Sequence, residues 1–260
     1  LKDALISETH QNDVIRALEN SCRQEKSGLE QAVKWLYSAT KRTLRGMIDR
    51  NAGDQEQERF FDAAQTILGW LILLSVNDHW LGKNQGLFQN NNKSIRIDIP
   101  ARTDAAIEIV LSRYHQVPAR FAVNQTGSAV YGRHAMDTAL PETGWGRETA
   151  WQEIKLTIWN CLFKENRSKP LSEQETQRLK ALLEFRSEEG SNYYFTIKPS
   201  DEQSPLSRQD IGAKFREELP ALKLISIGLE GEQSVLLASE IKLEVLIMEF
   251  LNLRKTGYDY

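Results

Sequence analysis

The feature that most constrains this chain is the segment 67–81, ILGWLILLSVNDHWL, the most apolar part of the sequence. No charged residue occurs between Ala63 and Asn77. That run is shorter than the ~20 apolar residues that a helix needs to cross a bilayer, so we expect no membrane span. Its apolar residues recur at three- and four-residue steps and also fill the other faces, which is typical of a helix inside a helical cluster.

This pattern predicts a buried helix that includes Trp70 and Leu73 and ends near Asp78 and His79. Histidine is favoured at such an end because the helix dipole places partial negative charge there. We interpret the adjacent Asp and His as a helix terminus rather than as a catalytic dyad.

The N-terminal half is predicted to be mainly helical. Ser27 and Glu30 match a capping box, in which a hydroxyl and a carboxylate satisfy free backbone amides. They open a long amphipathic helix whose lysines and arginines lie mostly on a solvated face. Thr103 or Asp104 is expected to cap a later helix, with Glu108, Ser112 and His115 on its outer stripe.

Two short strands are predicted within this half. Residues 95–99 alternate with a period of two and are followed by Pro100, which indicates a half-buried strand. Residues 119–123 form a second candidate strand, and the glycine-rich segment 124–146 is predicted to be a loop. A helix with Trp151, Ile154 and Ile158 on one side follows this loop.

The last third predicts a small α/β unit. Ser172 and Glu175 form another capping box at the start of a helix. A strand at 193–197, a helix at 207–219 and a strand at 222–227 indicate a parallel crossover. A final helix at 239–254 is expected to bury four apolar residues, namely Ile241, Val245, Met248 and Leu251.

We therefore predict an α-rich α+β fold with a helical N-terminal half and a few strands. The first predicted domain is 1–165, mainly helical, with a short strand-containing insert at about 94–124. The second is a small βαβ-α unit at 171–260, which can pack as one body with the first.

Composition narrows the classes of function. The chain is 40% hydrophobic and 27% charged, with a net charge of −3 and no basic block, which lowers the expectation of nucleic-acid binding without removing it. The cysteines, Cys22 and Cys161, lie in apolar helical patterns and are expected to be buried thiols. Without a signal peptide or a disulfide framework we expect a cytoplasmic protein, although the chain begins at Leu1 and can be a fragment.

The sequence contains no phosphate-binding loop, no dinucleotide fingerprint, no His-x-x-x-His and no Cys-x-x-Cys. We therefore predict no cofactor and no metal site. One candidate for chemistry is the loop 127–137, which combines hydroxyl, basic and acidic side chains. Its candidate residues are Ser128 and His134 for catalysis, Tyr131 and Arg133 for binding, and Asp137. A surface connection is the alternative interpretation of this loop.

The second candidate is Glu240-Ile241-Lys242, which resembles the Glu-x-Lys end of metal-dependent nuclease cores. In such cores the glutamate and an acidic residue on an adjacent strand hold Mg²⁺, and the lysine stabilises developing charge. This role requires 235–242 to form a strand, and the preceding aspartate of the family is missing. The spacing of Ile241, Val245 and Met248 favours a helix that carries Glu240 and Lys242 as surface charges.

Three segments resemble accessory domains that accompany NTPases and caspase-like peptidases in bacterial defence and signalling systems. They are the Gly-Trp-Leu-Ile-Leu-Leu helix at 69–74, the Ile-Arg-Ile-Asp-Ile-Pro strand at 95–100 and the terminal βαβ unit. The resemblance implies a regulatory or partner-binding role and carries over no site residues.

The sequence thus favours a non-enzymatic interaction or regulatory module with a protein partner. Trp80 and Trp145 lie beside loops, and tryptophan is favoured in interface hot spots, so both are candidate binding residues. The alternative is a metal-dependent nuclease or other hydrolase that uses Glu240 and Lys242 or the loop 127–137. The identity of the partner and the oligomeric state are not determined by the sequence.

Overall fold

The computed structural model describes residues 27–88, 96–123, 130–132, 134–136, 146–189, 193–198, 204–227 and 235–256. The helices, in chain order, are α1 (Ser27–Asp49), α2 (Asp54–Ile72), α3 (Asp78–Phe88), α4 (Asp104–His115), α5 (Arg147–Phe163), α6 (Glu173–Glu188), α7 (Gln209–Glu218) and α8 (Glu240–Thr256). The strands are β1 (Arg96–Asp98), β2 (Phe121–Val123), β3 (Val130–Gly132), β4 (Tyr194–Ile197) and β5 (Lys223–Ser226). The predicted α-rich α+β class is confirmed.

The described strands form two small sheets. One is parallel with the order β1-β5-β4, and the other is the antiparallel pair β2-β3. The predicted β4-α7-β5 unit with parallel strands is therefore confirmed. Strand β1 pairs with β5 in register Ile97 to Ile225, so a strand predicted within the first domain completes the sheet of the C-terminal unit.

Contacts divide the chain into two compact units, each discontinuous in sequence. Among the described residues, the first contains 27–81, 103–123, 130–132 and 235–256. The second contains 82–88, 96–102, 134–136, 146–189, 193–198 and 204–227. The predicted division into 1–165 and 171–260 stays a prediction.

In the first unit, α4 is more completely enclosed than the apolar segment that begins in α2. Every residue of α4 from Ala105 to Ser112 is buried. The expectation that Glu108 and Ser112 form an outer stripe is therefore wrong, because Glu108 accepts a hydrogen bond from the Arg120 backbone N–H at 3.3 Å. His115 is half-buried, and burial lowers its pKa. The Thr103 cap is confirmed, since its hydroxyl accepts from the N–H of Ala106.

Helix α2 is buried on one side only. Leu68, Leu71 and Ile72 are buried, whereas Trp70 is 48% exposed, so the prediction of burial on all faces is wrong at Trp70. Gly69 explains this orientation. Its Cα faces the Ala119 backbone so closely that an added Cβ would lie 2.2 Å from the Ala119 oxygen, which turns Trp70 towards solvent.

The apolar segment also ends differently from the prediction. Helix α2 stops at Ile72, a 3₁₀ turn follows, and Asp78 begins α3 instead of ending α2. Val76 is extended and forms an antiparallel bridge to Leu236, which interrupts the helix. Asn77 then caps α3, because its side-chain oxygen accepts from the Trp80 N–H at 3.1 Å. The Asp78 carboxylate pairs with Arg113 at 3.1 Å.

The second unit has a core of aromatic and aliphatic side chains between α5, α7 and the parallel sheet. Trp151, Phe195 and Phe215 are fully buried, and their rings meet edge to face.

The capping box of α6 is confirmed, with Ser172 and Glu175 each bonded to the other's backbone N–H. Cys161 is exposed, so its predicted burial is wrong, whereas Cys22 lies outside the described residues.

One strand was missed by the sequence analysis. Strand β3 lies within the segment 124–146 that was predicted to be a loop, and it pairs with β2 in register Ala122 to Tyr131. None of the helices in the described part of the chain is long and apolar enough to cross a membrane.

Candidate functional site

Helix α8 presents an apolar stripe to solvent. Its buried face carries Leu243, Ile247 and Phe250, and Phe250 stacks on Phe61 with ring centroids 5.7 Å apart. The prediction that Ile241 and Val245 are buried is therefore wrong, because they are 64% and 42% exposed. Helix α8 carries two apolar stripes. The stripe that contains Phe250 packs into the core, and the stripe that contains Ile241 and Val245 faces solvent.

Leu237, Ile241 and Val245 are spaced four residues apart, and we call this set the α8 ridge. Leu237 is 53% exposed and lies three residues before Glu240, the first residue of the helix. Residues four apart on a helix lie on the same face, so Ile241 and Val245 form one continuous surface. Large aliphatic side chains in such an arrangement are typical of helix-in-groove recognition.

The end of α2 lies beside the start of the α8 ridge. The Leu237 N–H donates to the Ser75 carbonyl at 2.7 Å, and the Asn77 N–H donates to the Val235 carbonyl at 2.8 Å. Trp70 and Leu74, which are spaced by four residues before this junction, are also exposed. Exposed apolar groups therefore occur on both segments that meet there.

The Glu240-x-Lys242 motif lies on a helix, as its spacing indicates, but Glu240 is buried instead of being a surface charge. Its Oε2 accepts from the Thr103 backbone N–H at 3.1 Å and from the Thr103 hydroxyl at 3.4 Å. The carboxylate thus serves the N-terminus of α4, where partial positive charge favours it. The strand that a nuclease core requires at 235–242 is not formed, and a catalytic role for Glu240 or Lys242 stays a prediction.

Lys242 is exposed on α8 and close enough to α1 to affect its charges. The pKa of Glu30 is lowered mainly by its hydrogen bond to Lys34, at 2.7 Å, and additionally by the positive charge of Lys242. Among the described residues, no three histidine, cysteine, aspartate or glutamate side chains are grouped so that they could hold a metal ion.

The remaining predicted site residues are not brought together in the described part of the chain. Tyr131 is half-buried in β3, and Trp80 is half-buried in the first turn of α3. The His134 ring meets Tyr193 edge to face at 5.4 Å, and its carbonyl accepts from the Tyr194 N–H. The other predicted loop and interface residues, Ser128, Arg133, Asp137 and Trp145, lie outside the described residues.

The sequence analysis missed a chain of alternating charges in the second unit. Lys155 is buried and lies 3.4 Å from Glu218, which also lies 3.2 Å from Lys214. Lys214 extends the chain to Glu148 at 3.4 Å. The signal was present in the sequence, because Lys155 interrupts the apolar pattern of α5.

This chain of charges keeps Glu218 ionised despite its partial burial. Burial raises the pKa of Glu218, but the ammonium groups of Lys155 and Lys214 contribute to lowering it below its usual value. The hydrogen bond to Glu218 in turn raises the pKa of Lys214. A cleft of about 390 Å³ opens beside Lys155 and Glu218, between α5, α6 and α7.

Comparison of the chain with protein-family models, with curated proteins and with solved structures finds no match.

Proposed function

We propose that the protein is a non-enzymatic interaction or regulatory module of a bacterial defence or stress-signalling complex in the cytoplasm. Its binding surface is the α8 ridge, and its partner is a protein that presents an apolar helix face. The observation that carries the proposal is the exposure of Leu237, Ile241 and Val245 at four-residue spacing.

The α8 ridge is suited to bind because α8 is held firmly from its other side. Leu243, Ile247 and Phe250 anchor the helix in the core, so the exposed residues need little ordering when a partner binds. Covering a half-exposed aliphatic side chain contributes about 1 kcal/mol, and Ile241 and Val245 lie one turn apart on the same face of the helix. A helix with small or aliphatic side chains can pack against the ridge in the usual ridges-into-grooves manner.

The proposal is tested by affinity capture from the native host with three forms of the full chain. They are the wild type, the double variant Ile241→Asp/Val245→Asp and the control Phe185→Asp. Phe185 is as exposed as Leu237 but lies on α6 in the second unit, so the control introduces a charge at an equally apolar surface position.

We expect quantitative mass spectrometry to show a protein that co-purifies with the wild type and the control. The double variant should capture it about tenfold less, since two buried charges oppose an apolar contact. Thermal melts must show that all three forms fold. A partner captured equally by all three forms would contradict the proposal. A fourth form, Trp145→Ala, tests the other predicted interface residue, and loss of the partner with this form alone would move the interface to Trp145.

A further inference from the structure

One flank of the α8 ridge carries two opposite charges. Lys242 and Glu249 are seven residues apart, about two turns of helix, so they lie on the same side of α8. Both are exposed, and neither forms an ion pair with another described residue. The pKa of Glu30 is lowered mainly by its hydrogen bond to Lys34 and least by Lys242, so Glu30 already has a partner. This flank therefore has a positive end and a negative end that a second molecule can contact.

These two charges are self-complementary under a two-fold rotation. When two copies of a helix pack antiparallel about a two-fold axis, residues that lie equally far on either side of the axis meet. The midpoint between Lys242 and Glu249 lies beside Val245. An axis at this point places Lys242 of each copy opposite Glu249 of the other copy, so two ion pairs form between the two helices.

The same axis brings the apolar side chains of the ridge together. Val245 contacts Val245 of the second copy, because it lies next to the axis. Ile241, which is 64% exposed, lies one turn further out. It faces the hollow between residues 245, 248, 249 and 252 of the second copy, which are all at least partly exposed and have the spacing of a knobs-into-holes contact. The charges and the apolar residues therefore favour the same pairing.

We propose that the α8 ridge binds a second copy of this chain, in an antiparallel pairing of two α8 helices about a two-fold axis beside Val245. This inference rests on the proposed function, since it names the partner of the same surface. One helix from each copy supplies less contact area than the roughly 800 Å² per partner of a standard interface. The dimer is therefore reversible, with a Kd in the micromolar range.

Sedimentation equilibrium of the full chain tests the pairing through its charges. Lys242→Glu and Glu249→Lys should each raise the Kd of the dimer about tenfold, because each turns both ion pairs into like-charge contacts. The double variant Lys242→Glu/Glu249→Lys restores both pairs in the reverse sense and should return Kd to the wild-type value. Lys83→Glu is the control, at an exposed lysine of α3 outside the first unit, and should leave Kd unchanged.

A mixture of the two single variants gives a second test. One chain then carries glutamate at both positions and the other carries lysine at both, so the mixed dimer regains two ion pairs. We expect the equimolar mixture to dimerise more tightly than either variant alone. This recovery requires that residue 242 of one copy meets residue 249 of the other, which a dimer formed through another surface does not provide.

Cross-linking tests the position of the axis. Val245→Cys, in a chain that also carries Cys22→Ser and Cys161→Ser, should form a disulfide-linked dimer under mild oxidation. Phe185→Cys in the same background is the control, at an exposed position of the second unit, and should stay monomeric. Thermal melts must show that every variant folds.

The inference is overturned if the chain stays monomeric well above micromolar concentrations, or if the double charge reversal does not restore dimerisation. A dimer that persists in Ile241→Asp/Val245→Asp overturns it as well. The proposed function fails separately: a monomeric chain that captures a different protein, and loses it in Ile241→Asp/Val245→Asp, would overturn the pairing and leave the interaction surface in place.

Discussion

Gly69 shows how a single side chain decides the orientation of the most apolar helix. Its missing Cβ lets α2 approach the Ala119 backbone, and this approach places Leu68, Leu71 and Ile72 in the core. Trp70, the next residue, consequently points outwards. Hydrophobicity alone would bury Trp70. The close packing of Gly69 on the Ala119 backbone therefore contributes more free energy than covering the exposed half of the indole ring would.

Gly69→Ala should therefore destabilise the protein, by about 1–3 kcal/mol or more, because the new methyl group would meet backbone atoms that cannot rotate away. Gly46→Ala in α1 is the control, since an added Cβ there meets nothing within 4 Å and alanine is favoured in helices by about 1 kcal/mol. Urea unfolding of the three proteins measures both effects. Equal unfolding free energies for Gly69→Ala and the wild type would contradict the close approach of Gly69 to the Ala119 backbone.

At the scale of elements, capping signals placed the starts of α4 and α6 well, whereas the end of α2 and the buried faces of helices were predicted poorly. The capping box at Ser172 and Glu175 fixes the start of α6 through contacts within four residues, which a sequence states directly. Of the four residues predicted to be buried on helix α8, Leu251 is buried and Met248 is half-buried, but Ile241 and Val245 are exposed. The packing of Phe250 on Phe61, residues far apart in the chain, decided which face of α8 is buried.

The capping box also predicts a pH dependence of stability. The pKa of Glu175 is lowered to about 2, first by its hydrogen bond to Arg167 and then by the backbone and hydroxyl of Ser172. A carboxyl whose pKa is lower in the folded than in the unfolded state stabilises the fold above its ordinary pKa of 4.5. That contribution is lost as the pH falls from 4.5 through about 2.

Glu175→Gln should accordingly reduce the loss of unfolding free energy between pH 4.5 and about 2, relative to the wild type. Glu189→Gln at the other end of α6 is the control, because it removes an ion pair with Arg186 but no N-terminal cap. Denaturant unfolding at several pH values gives the comparison. Wild-type and Glu175→Gln curves that stay parallel over this range would show that the box does not titrate with folding.

For the whole molecule, the structure weighs on the two functional alternatives that the sequence left open. Glu240 is occupied by the N-terminus of α4, and Lys242 lies on the exposed side of α8. Ile241 and Val245 of the α8 ridge lie on the same helix, and Leu237 precedes it. One short segment therefore supplies a structural carboxylate and an exposed apolar surface.

We therefore expect the full chain to cleave neither DNA nor RNA in the presence of Mg²⁺, because the Glu240 carboxylate is engaged by Thr103. A gel-based assay should include Lys242→Ala and, as the control, Lys34→Ala, another exposed lysine of the same unit. Metal-dependent cleavage that is lost in Lys242→Ala but kept in Lys34→Ala would establish the nuclease alternative.

The sequence by itself determined the α-rich class, most helix positions, the capping box at Ser172 and Glu175, and the parallel βαβ unit. Each of these depends on periodicity or on contacts within a few residues. A short stretch of sequence therefore contains all of the information that is needed to predict it. The alternation at 95–99 likewise indicated β1 before any partner was known.

Only the tertiary structure decided which elements meet. Strand β1 pairs with β5 across more than a hundred residues, and Lys155 meets Glu218. Glu240 accepts a hydrogen bond from the N–H of Thr103, the residue that caps α4. The exposed stripe of α8 and the half-exposed Trp70 follow from the same cause. A side chain is buried or exposed according to what packs against it, and those partners come from distant parts of the chain.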